Sequence, residues 1–177
     1  MKLSPPKNDS YAAVIVAVNT CVRLEGLDNL VGVPVLGHQA LTQKDFNTGD
    51  LRVAFTAETQ LSEDFCAINN LYRDETFNKD PDERGYLEKN RRVRALKLRG
   101  HVSNALLMPL DSLAYSGYPI ESLRSGDTFD SLNGHTVCCK YEIPRNPQTR
   151  GTSKIEKAFR RVDNKVFPEH LETDQYW

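Results

Sequence analysis

No stretch of the 177-residue chain reaches the roughly 18 consecutive apolar residues that a bilayer-spanning helix needs, which excludes a helical membrane protein. The opening residues, MKLSPPKNDS, lack the apolar core of a secretory signal, so the expected location is intracellular and cytoplasmic, with no membrane partner. There is no Cys-x-x-Cys pair. Cys138 and Cys139 are adjacent, and neighbours on a strand point to opposite faces, so they cannot both serve one tetrahedral metal. The four cysteines, with Cys21 and Cys66, are expected to act as small buried hydrophobes in a reducing compartment. His38, His101, His135 and His170 show no ligand spacing, so no metal site is expected. Catalytic signatures are also missing. Serine, histidine and aspartate fall in no recognisable nucleophile elbow, and Glu58, Asp64, Asp80 and Asp82 fit no calcium-loop spacing. Asp50 and Asp127 are explained by turns. No repeat or low-complexity segment is present, and no catalytic residue is assigned.

What the chain does have is a composition of 39% hydrophobic and 27% charged residues, that of a globular protein, with room for one ordinary domain plus a tail or for two very small domains. Its net charge of −1 hides a strong polarisation. Residues 86–105 carry +5, because Lys89, Arg91, Arg92, Arg94, Lys97 and Arg99 face Glu88 alone. Residues 140–165 carry another +5, leaving −11 for the remainder. Asymmetry of this size points to a polyanionic partner.

Periodicity predicts strands first. Residues 11–24 (YAAVIVAVNTCVRL) read as one long strand able to bend, and residues 31–41 (VGVPVLGHQAL) as a second, irregular one. Residues 51–57 (LRVAFTA) alternate as a third. Ser62 caps a helix predicted over 62–72, with Phe65, Ile68 and Tyr72 inward, and residues 73–85 form a long exposed loop. Residues 92–99 are extended with a change of phase, and residues 105–110 (ALLMPL) form a buried strand. Residues 135–143 alternate with Val137, Cys139, Tyr141 and Ile143 inward and Cys138, Lys140 and Glu142 outward. A linker follows, then a helix over 153–161 with a Ser153/Glu156 capping box. This order predicts a mainly β fold: a small OB-type antiparallel β-barrel with a helix between strands three and four, plus a C-terminal helix. The expected organisation is a flexible N-terminus over 1–10, the module over 11–144, and a tail over 145–177.

Residues 49–55 (GDLRVAF), 93–110 (VRALKLRGHVSNALLMPL) and 140–144 (KYEIP) together carry a resemblance. Here the chain is similar to the N-terminal OB module of RNA ligases that carry such a module ahead of the nucleotidyltransferase domain. Both that group and the tRNA-binding OB domains appended to some aminoacyl-tRNA synthetases usually have glycine where this sequence has Ala105. The resemblance implies an RNA-binding module that positions RNA ends or nicks for sealing, with a nucleotidyltransferase domain as partner. ATP and a divalent metal are implied for a full-length ligase only, because the adenylated lysine of the family sits in a Lys-x-Asp-Gly setting that this chain lacks. Residues 167–177 resemble the lead-in to that missing domain.

Alternation of basic with apolar residues marks Arg92, Arg94, Lys97, Arg99 and Lys140 as candidate phosphate contacts, with Ser103 as a polar contact on the turn. Two alternatives remain open: a tRNA-binding OB domain of the synthetase-appended type, or a protein-interaction domain.

Overall fold

The computed structural model describes residues 2–144, and the expected helix over 153–161 lies outside them. The chain divides after Tyr141, and the described residues up to that point form one compact unit. This unit is mainly β. Its strands are β1 (Leu3–Ser4), β2 (Ala13–Ala17), β3 (Val22–Arg23), β4 (Leu30–Val35), β5 (His38–Gln43), β6 (Leu51–Thr56), β7 (Thr59–Leu61), β8 (Leu96–Leu98), β9 (His101–Ser103), β10 (Ala105–Pro109), β11 (Thr128–Phe129), β12 (Ser131–Leu132), β13 (His135–Thr136) and β14 (Cys138–Lys140). One α-helix, α1 (Glu63–Ile68), and several 3-10 turns complete the described residues, none of whose helices is long and apolar enough to cross a membrane.

Seven strands join in the order β11-β2-β6-β10-β5-β4-β3. Neighbours are antiparallel except β10 and β5, which run parallel with Ala105 beside Ala40. The ladder ends on β11 and β3, and β2, the neighbour of β11, and β3 are halves of the single bent run expected over residues 11–24. Period-two alternation divides the buried side chains into two groups. Ala13, Ile15, Val53 and Phe55 face a large cluster with Phe65, Leu113, Phe129 and Leu132, while Val18, Val33, Ala40, Ala54 and Leu107 form a smaller one on the opposite face.

Several elements depart from expectation. The run over 31–41 is a hairpin, because Leu36 and Gly37 take positive φ (52° and 76°) and turn the chain between β4 and β5. Pro34 lies past the two residues of β4 that pair with β3, where a missing N–H is tolerated. That extra turn also moves the helix: among the runs β2–β3, β4, β5, β6 and β10, α1 falls between the fourth and fifth rather than between the third and fourth. Ser62 caps it as expected, accepting from Phe65 N at 3.2 Å, but the helix stops at Ile68 because Asn70 adopts a left-handed φ of 53°. Residues 92–99 are a strand only over β8, which folds back on β9. The alternation over 135–143 breaks after Val137: Cys138 is buried beside it and Cys139 and Ile143 are exposed, while Lys140 and Glu142 face outward as expected. Two consecutive amides, Val137 N and Cys138 N, donate to the one carbonyl of Asp130 at 2.8 and 3.3 Å, a bulge that interrupts the alternation there. Residues 2–10, expected to be flexible, are tied down by β1 on β12 and by Lys2 N donating to Asn133 Oδ1.

The long loop over 73–85 is irregular yet fixed. The Asn78 side chain accepts from Tyr72 N and donates to Tyr72 O and Glu83 O, at 2.8–3.0 Å. Gly85 N donates to Tyr72 O, and the Gly85 Cα lies so near the Leu71 backbone that a Cβ would sit 2.1 Å from the Leu71 carbonyl oxygen. Gly85→Ala is therefore expected to lower the unfolding free energy by about 3 kcal/mol, read as a fall in the urea midpoint. An unchanged midpoint contradicts the close approach.

Burial pushes the Cys66 and Cys138 thiols up from 9.0 to about 12. The fold favours both as neutral thiols, so this stabilisation is complete below pH 9.0 and drains away as the pH rises toward about 12. Thermal melting temperature should fall across that window, and a Cys66→Ala/Cys138→Ala variant should show a shallower fall. At pH 8, alkylation followed by mass spectrometry should label the exposed Cys21 and Cys139 well before the other two.

Candidate nucleic-acid interface

The basic segment over 89–103 begins beside β7. Val93 is buried and donates its N–H to Thr59 O, Arg92 forms an antiparallel bridge with Gln60, and Gln60 pairs on its other side with Cys139 of β14. Arg92 and Lys140 therefore belong to one three-stranded patch. Beyond Val93 the chain leaves the body of the fold and enters the β8–β9 hairpin. Its turn residues, Arg99 and Gly100, both have positive φ (47° and 92°), the geometry of a type I′ turn.

Side chains, more than ladder bonds, fasten this hairpin. Asn104 Oδ1 accepts from Gln39 N at 2.9 Å, Gln39 Nε2 donates to Val102 O at 2.8 Å, and Ser103 Oγ accepts from Leu41 N at 3.1 Å. On the other side, Arg99 donates to the carbonyl of Gly26, and the His101 ring lies 2.9 Å from the carbonyl of Glu25. Strand β5 and the loop after β3 thus hold the hairpin from two directions.

These contacts sort the six candidate residues. Ser103 is half-buried and bridges Leu41 N to Ala105 O, so its hydroxyl is committed to the fold. Arg99 is committed to Gly26. Arg92 is held by Glu58, whose carboxylate lies 2.6 Å away and keeps the guanidinium firmly charged, and it stacks over Tyr141 at 5.0 Å. Lys140 sits over the Tyr11 ring, its ammonium 5.5 Å from the centroid. Arg94 and Lys97 are exposed and make no ion pair among the described residues. Lys97 stands among Leu96, Leu98 and Val102, each more than 40% exposed, which gives the hairpin an amphipathic surface.

Three participants were given no part in this surface by the sequence: Glu58, Tyr11 and Tyr141. Glu58 sits in the β6–β7 turn with a φ of 73°, a conformation that aims its carboxylate at a residue 34 positions away. Tyr141, next to Lys140 in the chain, was the available signal, since cations interleaved with aromatic residues suit a nucleic-acid surface.

No protein-family model matches the chain, and no curated protein matches it. Solved structures do. A Naegleria gruberi RNA ligase with PPi is 24% identical, covers 76% of this chain and 36% of its own, and superposes with a TM-score of 0.53. A variant of the Naegleria gruberi RNA ligase with ATP and Mn is 21% identical, covers 82% of this chain and 38% of its own, with a TM-score of 0.51. The likeness is one of fold. The chain spans little more than a third of the length of these ligases.

Arg99→Ala should free one side of the hairpin. Hydrogen exchange is expected to quicken in residues 24–28 and 96–103 while β6 stays protected, with a global cost of about 1 kcal/mol. Unchanged exchange in both segments contradicts the fastening role.

Proposed function

We propose that this unit is an RNA-binding OB-type module, similar to the N-terminal part of an ATP-dependent RNA ligase, that positions an RNA end or nick for a nucleotidyltransferase domain. The ladder of strands supports the OB part of the reading. It leaves β2, passes through β6, β10, β5 and β4, and arrives at β3, which continues the same run of chain as β2. One parallel joint, β5 to β10, among antiparallel ones suits a five-stranded Greek-key barrel. The fold-level likeness to RNA ligases supports RNA as the partner class.

The observation that carries the RNA-binding part is the pair Arg94 and Lys97, exposed cations without ion-pair partners among the described residues, on a hairpin fastened to the fold from two sides. A cation already neutralised by a carboxylate releases little on meeting a phosphate, whereas an unpaired one displaces condensed counterions and gains their entropy. Arg92 and Lys140 are secondary contacts in this reading, and Arg99 and Ser103 act by holding the hairpin. Among the described residues no group of three or more His, Cys, Asp or Glu side chains is placed to hold a metal ion. Exposed Leu96, Leu98 and Val102 favour one second reading, a protein-interaction surface on the same hairpin.

Affinity for RNA should fall steeply with salt. Arg94→Ala/Lys97→Ala should weaken binding of every RNA sequence and flatten the logarithmic salt dependence by about one to two units, with stability changed by no more than about 0.5 kcal/mol. Fluorescence anisotropy over a salt series measures this. Variants that fold and bind RNA as tightly as the parent at every salt concentration sink the assignment, and weak, salt-insensitive RNA binding by the parent favours the protein-interaction reading.

A further inference from the structure

A cleft of about 720 Å³ opens beside the phosphate-contact candidates, and none of those candidates lines it. Its walls include Tyr11, Leu36, His38, Thr56, Ala95 and Asn104. The fold explains why it is there. Thr56 ends β6 and His38 begins β5, so the sheet stops at this edge while Tyr11 crosses it from the 3-10 turn that precedes β2. Leu36, in the β4–β5 turn, has a positive φ and is 46% exposed, presenting an apolar side chain at the rim.

The polar side chains of the wall divide into committed and available ones. Asn104 is bound to Gln39 N, and Thr56 Oγ1 donates to Ser10 O. The His38 ring and the Tyr11 hydroxyl make no hydrogen bond among the described residues. Asp9 is the one carboxylate in the lining. The cleft thus offers an aromatic ring, apolar sides, a histidine able to donate or accept, and an acceptor. Cations stand at its edge: Lys140 lies over the same Tyr11 ring at 5.5 Å, and Arg94 precedes the wall residue Ala95 in the chain.

We propose that this cleft receives one unpaired nucleobase, stacked against Tyr11 and hydrogen-bonded by His38, with the adjoining phosphate on Lys140. An apolar metabolite would leave His38 and Lys140 unused, and a bare phosphate would leave Tyr11 and Leu36 unused. A nucleotide within an RNA strand uses all four. The inference rests on the RNA-binding reading and adds to it a preference for strands with an unpaired nucleotide over fully paired duplex.

The test uses the full chain with two RNA probes of equal charge, a blunt duplex and a single strand carrying 2-aminopurine, read by anisotropy and by fluorescence quenching. Tyr11→Leu should weaken single-strand binding about 5- to 150-fold, the range expected for one lost base stack, while leaving duplex affinity and the salt slope unchanged and abolishing the quench. Tyr11→Phe should retain both affinity and quench. If Tyr11→Leu fails to fold by circular dichroism, His38→Ala and a 4-thiouridine crosslink mapped by mass spectrometry to residue 11 or 38 take its place. A parent that binds RNA with steep salt dependence, but whose Tyr11→Leu and His38→Ala variants bind the single strand equally well, overturns the cleft and leaves the RNA reading standing. A parent that binds neither probe overturns both.

Discussion

Because β6 pairs with β2 along one edge and with β10 along the other, while both of its faces are covered, every polar group of Leu51–Thr56 has to be satisfied inside the protein. The backbone meets this through its two ladders. Arg52, only 7% exposed, meets it by donating to the Asp45 carbonyl at 3.0 Å while its guanidinium lies over the Phe46 ring at 5.5 Å. The strand therefore acts as a partition. Val53 and Phe55 belong to the large cluster and Ala54 to the small one, and a shift of one residue would exchange the two sets. The register of β2 and β10, and through them the placement of β5 and β11, follows from this one strand.

The basic surface inherits its layout from that partition by an indirect route. Strand β10 is fixed by β6, Asn104 and Ser103 lie just before it, and their side chains bind β5 and draw the β8–β9 hairpin along. Cations close to the fold became structural: Arg91 donates to Leu61 O, Arg92 meets Glu58, and Arg99 meets Gly26. Those at the exposed flank, Arg94 and Lys97, kept their charge unneutralised. Charge density in a sequence thus overstates charge available at a surface, since an arginine with carbonyls within reach serves the fold first.

Strands whose alternation is matched by burial on a continuous sheet were readable. The β2–β3 run, β6 and the Ser62 cap lie where apolar periodicity and capping chemistry put them. What could not be read depends on single backbone events or distant partners. One αL residue at Leu36 made two strands of one, and one bulge at Asp130 reversed Cys138 and Cys139. The order in the 73–85 loop comes from Asn78, an ordinary polar residue whose three bonds are visible only once the loop has closed. For the candidate interface, the basic segment was legible, whereas the separation of structural from available cations required knowing where Glu58, Gly26 and Tyr11 lie.

The parallel joint between β5 and β10 also bears on how the chain reaches its native state. The hairpins β4–β5 and β8–β9 join residues close in sequence and can form in about 1–10 μs. Gln39 and Asn104 are 65 residues apart, so their union must overcome the entropy of closing a loop that holds β6, α1 and the whole 73–85 excursion. High contact order of this kind slows folding and places the joint late in assembly. Until then β5 and β10 each present an unpaired edge, and the period of greatest exposure to mispairing with another chain falls between the collapse of the β6 core and the docking of Asn104 onto Gln39.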